Sequence, residues 1–203
     1  MHGLPPSVLA GWAPLLEALE GVAYVTDFQG NFLACGTRRW TRFGTDNGAP
    51  GLIAWQGLNS LSSCSDMETA DAYRLIYAAL ERGKLDTYSF GFRCDTPRLK
   101  RELRMSLTAL TLEGARMGVI HHCIALSESE RPLVAILQNP LARTVQDRPL
   151  IRMCSYCLRI CDTPAWIEAE EYYQRGGRSE VDISHGICPD CYQRIVQPVV
   201  ELS

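Results

Sequence analysis

The chain has 203 residues, 46% of them hydrophobic and 21% charged. That is enough apolar matter for one domain of ordinary size and a smaller one, and it is not the composition of a disordered chain. The formal net charge of −3 supplies no bulk positive field to hold nucleic acid or an anionic membrane. No run of about 18 apolar residues appears. "MHGLPPSVLAGW" lacks a basic start followed by an unbroken apolar core. Neither a membrane span nor a secretory signal is therefore expected, and the chain reads as cytoplasmic.

Residues 1–21 read as an N-terminal helix. Val8, Leu9, Trp12, Leu15, Leu16 and Leu19 recur at helical spacing. Pro14 predicts a break, or a helix that starts near Ala13, and Gly21 is a plausible stop. Val22 to Gly36 reads as a β-hairpin turning at Gln29-Gly30-Asn31. Trp40 and Phe43 suggest a short helix, and "GTDNGAPG" a loop. Asp66 to Gly83 is the clearest helix, with Ala72, Leu75, Ile76, Ala79 and Leu80 on one stripe.

Three strand-like runs follow. "DTYSFGFRC" puts Tyr88, Phe90, Phe92 and Cys94 on one face. "RELRMSLTAL" alternates apolar and polar residues, so one face should be wet and the other buried. "MGVIHHCIAL" is apolar at nearly every position. Residues 127–150 read as a linker punctuated by Pro132, Pro140 and Pro149, with Leu133 to Leu137 as a short strand.

Helix, hairpin, short helices, longer helix and three antiparallel strands make an α+β layout: a five-stranded antiparallel sheet with flanking helices. On "GVAYVTDFQGNFLACG", "AYRLIYAALERGK" and "YSFGFRCDTPRLKRELRMSLTAL" the segment 22–126 resembles a PAS domain. The last stretch is similar to a PAS subgroup with an Arg-Cys-Asp-Ser/Thr-Pro turn. The resemblance implies a sensor or dimerisation module with space for a ligand between sheet and helices, without naming a function. Tyr88, Phe90, Phe92, Leu103, Met105 and His122 are the candidate pocket residues, with Leu107 beside them. Sequence cannot separate a cavity from a filled core here.

Of the cofactors the resemblance brings to mind, flavin is not expected. Its branch carries Asn-Cys-Arg-Phe before the connecting helix, where this chain reads "GLNSLSSCSDMET" with Cys64 near the right place. Haem needs an axial side chain, and the helical side has no His. Alternation turns one of His121 and His122 inward, as a hydrogen-bonded sheet histidine. Arg93, Arg98, Lys100, Arg101 and Arg104 crowd one turn. They read as a solvated face partly neutralised by Asp95 and Glu102, or alternatively as a surface for an acidic partner.

The remaining chemistry lies in 151–203. Cys154-Ser-Tyr-Cys157 and Cys188-Pro-Asp-Cys191 are two C-x-x-C pairs separated by thirty residues. Two such turns brought together make the four-sulfur cage that zinc prefers. The segment is also short enough to need a metal for stability. This predicts a small zinc-ribbon-like module with structural zinc on Cys154, Cys157, Cys188 and Cys191. His185 and Cys161 are alternative ligands, or His185 a hydrogen-bonding neighbour of a sulfur.

Four cysteines also suit an iron–sulfur cluster, which ranks below zinc. Leu158 and Tyr192 after the pairs exclude haem attachment through C-x-x-C-H. A thioredoxin-like dithiol would need a pair between strand and helix of a βαβ unit. Thr163 as cap and Pro164 at the first position predict a helix over "AWIEAEEYYQ". "MCSYC", Trp166, Glu171-Tyr172 and "SHGICPDC" are similar to a C-terminal module of bacterial signalling proteins. That module commonly has Arg or Lys where Cys161 stands.

Taken together, the sequence reads as a regulatory protein without a catalytic site, since a complete four-cysteine cage has no open position. It would be homodimeric through its N-terminal helix and would act on a protein partner. The alternative is a zinc-dependent DNA-binding transcription regulator. "EAEEYY" and "SEVDIS" argue against it by placing negative charge in the loop that would face phosphate.

Overall fold

The structure is a computed structural model that describes residues 6–46, 54–137 and 148–202. Helix α1 spans Pro6–Ala18, followed by the hairpin β1 (Val22–Thr26) and β2 (Phe32–Cys35) and by α2 (Thr37–Asp46). Helix α3 (Met67–Glu81) leads to β3 (Thr87–Arg93), β4 (Leu99–Leu112) and β5 (Ala115–Glu130). These five strands form one antiparallel sheet in the order β2-β1-β5-β4-β3. The α+β class and the five-stranded antiparallel sheet are as the sequence pattern required.

Local chemistry explains the element ends. The Asp27 carboxylate accepts from the backbone N–H groups of Gln29 and Asn31, and Gly30 takes φ +87°, closing the β1–β2 turn. Asp66 caps α3 by accepting from the Thr69 N–H at 2.7 Å. Alternation then sorts the strands. Tyr88, Phe90 and Phe92 stand opposite Leu107, Met105 and Leu103, and β5 adds Val119, His121 and Cys123 to that inner face. Helix α3 covers it with Ala72, Ile76, Tyr77, Ala79 and Leu80. The outer face packs Ala23, Val25, Ala34 and Ile120 against Leu16 and Trp12 of α1. β5 is apolar on both sides because both sides are covered.

Several elements depart from expectation. α1 runs unbroken through Pro14 and begins at Pro6 rather than near Ala13. β5 extends to Glu130, past the expected end of the segment at 126, because Ser127–Glu130 pair with Leu99–Glu102. Ala135–Leu137 form a 3₁₀ turn, not part of a strand. Most of the "GTDNGAPG" loop and Pro140 lie outside the described residues.

The tail folds as a second, four-stranded sheet in the order β8-β7-β6-β9. β6 is Leu150–Cys154, β7 Ile160–Asp162, β8 Ala165–Ile167 and β9 Asp182–Gly186. Helix α4 (Ala169–Gln174) is shorter than expected. Thr163-Pro164 forms the β7–β8 turn, and Ala165–Ile167 pair with Ile160–Asp162 instead of joining the helix. The chain ends in a continuous helical run: α5 (Pro189–Cys191), a π-helical turn (Tyr192–Val196) and α6 (Gln197–Val200).

One face of the tail has its own core of Met153, Ile160, Ala169 and Val181, joined by Val134 and Ile136. The other face, with Tyr156, Ile195, Val196 and Val199, merges with the core of the five-stranded sheet.

Candidate metal centre

β6 delivers Cys154 at its end, and the chain then turns back on itself. The Leu158 N–H donates to the Cys154 carbonyl at 3.0 Å, and the Cys154 N–H to the Arg159 carbonyl at 2.9 Å. This tight turn puts Leu158 at φ +59°, a strained conformation for a residue with a Cβ. The second pair takes its turn at a helix start, with Pro189 at the first position and the Cys188 sulfur accepting from the Cys191 N–H at 3.4 Å. The pair stands between β9 and the terminal helical run, and no strand follows that run among the described residues, so it is not part of a βαβ unit. What distinguishes it from a lone dithiol is the arrival of two further sulfurs.

The Sγ atoms of Cys154, Cys157, Cys188 and Cys191 all lie within 4.8 Å of one another. Those of Cys157 and Cys188 are 3.6 Å apart. A tetrahedral ion with bonds of about 2.3 Å needs sulfur–sulfur edges of about 3.8 Å, so the set can hold one metal ion. All nine cysteines are unbridged.

Backbone and side-chain donors already point at these sulfurs. The Cys188 N–H donates to Cys154 Sγ at 3.4 Å, and Arg194 to Cys191 Sγ at 3.6 Å. Hydrogen bonds from the Cys157 and Cys191 thiols hold the Cys154 thiol far below its ordinary value, while Cys157, donor to that thiolate, is pushed up to about 12. The cluster is thus prepared to carry one negative sulfur, and a cation would favour ionisation of all four. Cys154, Cys188 and Cys191 are buried. Cys157 is half-buried and lines a groove of about 270 Å³ together with Phe92, Lys100, Tyr156, Arg159 and Arg194.

The two alternative ligands do not join the set. Cys161 sits on β7 opposite Trp166, with its sulfur near the Thr163 hydroxyl. His185 lies on β9 opposite Met153, and burial lowers its pKa despite the nearby charges of Asp66 and Cys154. It stands beside the cluster without entering it.

The five-stranded sheet grips the centre through residues that sequence reasoning missed. Asp66 accepts from the Ser155 hydroxyl at 2.6 Å, and Glu68 from the Ile187 N–H at 2.9 Å and from Arg152 at 2.5 Å. Burial alone would raise the Asp66 carboxyl, but the bonds from Ser155 and Thr69 outweigh it and hold the group low. The Arg-Cys-Asp turn is the second grip. The Asp95 side chain is fully buried between Arg93 and Arg131, and Arg93 also meets Glu168, which Lys100 and Arg159 approach. The acidic partner of this basic turn thus lies within the chain. The capping pattern of α3 and the crowded charges of "RCDTPR" were the available signals, but neither named its partner.

The candidate pocket residues are placed differently from expectation in one respect. Tyr88, Phe90, Phe92, Leu103 and Met105 do share the inner face, with Leu107. Tail atoms pack on them: Tyr156 meets Phe90 edge-on at 5.5 Å between centroids, and Tyr88 donates to the Ile195 carbonyl at 2.7 Å. His122 is not among them. Register pairs His121 with Leu107 and Tyr24, so His121 turns inward and His122 turns to the other face, where its Nε2 lies 2.8 Å from the Glu20 carbonyl. The Nε2 of His121 is shared by the hydroxyls of Tyr77 (2.9 Å) and Thr26 (3.2 Å), and its ring stacks on Tyr24.

No protein-family model and no curated protein matches the chain. Among solved structures it is similar to the PAS domain of BvgS from Bordetella pertussis, at 14% identity and a TM-score of 0.46, covering 60% of this chain and 88% of that one. It is also similar to a phage VqmA in complex with DPO, at 17% identity and a TM-score of 0.41, covering 60% and 54%. A PAS domain from Desulfitobacterium hafniense is similar at 16% identity and a TM-score of 0.37, covering 56% and 99%. At these values the likeness is one of general layout, and the functional reading rests on this chain's own residues.

Proposed function

We propose that the chain is a cytoplasmic signal-transduction protein: a PAS-like sensor or dimerisation sheet joined to a tail built around one structural zinc ion, with output through contact with a protein partner. The observation that carries this reading is the convergence of four sulfurs at single-ion spacing against the sheet. Zinc suits four thiolates in a tetrahedron, and such a set leaves no position for substrate or water, so the ion is structural and the protein is not an enzyme. The cage fits the 151–203 segment as a module, with the sheet that runs from Val22 to Glu130 as the sensor and the stretch after it joining them. Leu15 on α1 is 68% exposed, and Leu19 just past its end is 40% exposed, an apolar surface suited to a homodimer contact. Among the described residues no helix is long and apolar enough to cross a membrane.

Elemental analysis of the purified chain, with its absorption spectrum, tests the proposal. One zinc per chain and no visible absorption are expected. Iron, a flavin or haem spectrum, or no bound metal would overturn it. Titration against duplex DNA at several salt concentrations should show no affinity beyond weak, salt-sensitive contact.

A further inference from the structure

The terminal run Pro189–Val200 consists of three helical pieces, none longer than five residues. Such a run has little stability of its own. It nevertheless lies over the sheet. Ile195, Val196 and Val199 are buried in the same cluster as Leu80, Phe90 and Met105, Tyr88 holds the Ile195 carbonyl, and Lys84 meets the Leu202 carbonyl. At its start, Cys188 and Cys191 face the sulfurs of the β6 turn. The β6 turn itself is anchored to the sheet. Tyr156 is 3% exposed, and its carbonyl accepts from the Arg93 N–H at 2.7 Å. The tail's other core, around Met153 and Ile160, contains none of the four cysteines. A metal ion would therefore act mainly on the placement of the terminal run.

We propose that the four-sulfur centre gates the inner face of the sheet. With the ion bound, the terminal run packs into the core that includes Phe90 and Met105 and takes the Tyr88 hydroxyl on the Ile195 carbonyl. When the ion is lost, the run lifts away, and the face accepts an amphipathic helix of a partner protein with the same spacing of branched apolar residues as Ile195, Val196 and Val199. This rests on the zinc reading above and gives it a direction: metal loss turns on partner binding. The present occupant of the face, a short helix of this chain, defines the chemistry of the incoming one. Weak intrinsic stability of the run makes the exchange reachable by a single event at the sulfurs.

Hydrogen exchange of the full chain, with zinc and after chelation, tests the gate together with a labelled peptide of residues 189–202 carrying Cys191→Ser. Chelation is expected to speed exchange at Tyr192–Val200 at least tenfold, while Arg93, Val22–Thr26 and Val119–Cys123 stay protected. The peptide should bind the chelated protein at least tenfold more tightly than the zinc form, and its Ile195→Asp version should not bind. Bound zinc with unchanged exchange after its removal, equal peptide binding to both forms, or binding to neither would overturn the gate alone. Loss of protection throughout the five-stranded sheet would also overturn it, since the metal would then hold up the whole fold. A chain that binds no zinc would overturn the zinc reading and the gate together.

Discussion

The five-stranded sheet and the cysteine tail both bury polar atoms, and they satisfy them by opposite means. In the sheet, His121 is fully buried, yet the hydroxyls of Thr26 and Tyr77 reach its Nε2, and Tyr77 passes on to Ser60. Those partners are side chains fixed on β1 and α3, already held by ladders or helix bonds, and only the Nδ1 of His121 is left without a partner. In the tail, the largest group of buried polar atoms is the sulfurs, and the chain's own donors reach three of them at 3.4–3.6 Å. A region that can order itself holds its buried histidine with hydrogen bonds from side chains already fixed in place. A region of short strands and helical turns leaves its interior to an ion, whose binding free energy becomes folding free energy.

That contrast can be broken most forcefully at the sulfurs. Cys188→Ser should abolish stoichiometric metal binding and lower the thermal midpoint by roughly 10 °C or more, read by elemental analysis and calorimetry. Leu107→Ala in the sheet should cost about 2–5 kcal/mol while zinc stays bound, because Leu107 is fully buried on β4 and is none of the four ligands. Parallel losses of zinc in both variants would show that the two regions are not distinct.

The junction comes next in size. Arg93→Leu leaves the buried Asp95 carboxylate with Arg131 alone as its ion-pair partner and Glu168 with Lys100 and Arg159, at a cost of about 3 kcal/mol in chemical denaturation. A change below 0.5 kcal/mol would mean that the charges do not join sheet to tail.

The sheet network has a pH signature. Burial pushes the His121 pKa down to about 3 from its ordinary 6.5. The folded state therefore binds fewer protons than the unfolded state between those values, so stability from this group is complete above about pH 6.5 and is lost as pH falls toward 3. His121→Gln should remove up to about 1.4 kcal/mol per pH unit of that slope, seen as the difference between the two unfolding curves. Identical slopes would place the histidine outside the buried network. The smallest effect belongs to Cys161→Ser, which should leave metal content unchanged and stability within about 0.5 kcal/mol.

Much of this arrangement was legible beforehand because it depends on short-range pattern. Period-two alternation put Tyr88, Phe90, Leu103 and Met105 on one face, Asp66 and Gly83 bracketed α3, and the two C-x-x-C spacings marked four sulfurs out of nine. Where the pattern was ambiguous, distant pairing decided. "AWI" reads as helix from its cap-like Thr163-Pro164 and became a strand because β7 offered it a ladder. Adjacent histidines on one strand look alike in sequence, and only the register against β1 and β4 turned His121 inward and His122 out. Whether the inner face was cavity or filled core could not be told from sequence, and the structure packs Tyr156 and Ile195 of the tail against it. The composition determined that these elements and this cage should exist, through backbone preferences and ligand spacing that act within a few residues. Which surfaces meet, and that Asp66 and Glu68 should hold the cysteine turns, was decided only by tertiary structure, because contacts between residues more than eighty positions apart leave no periodic trace in the chain.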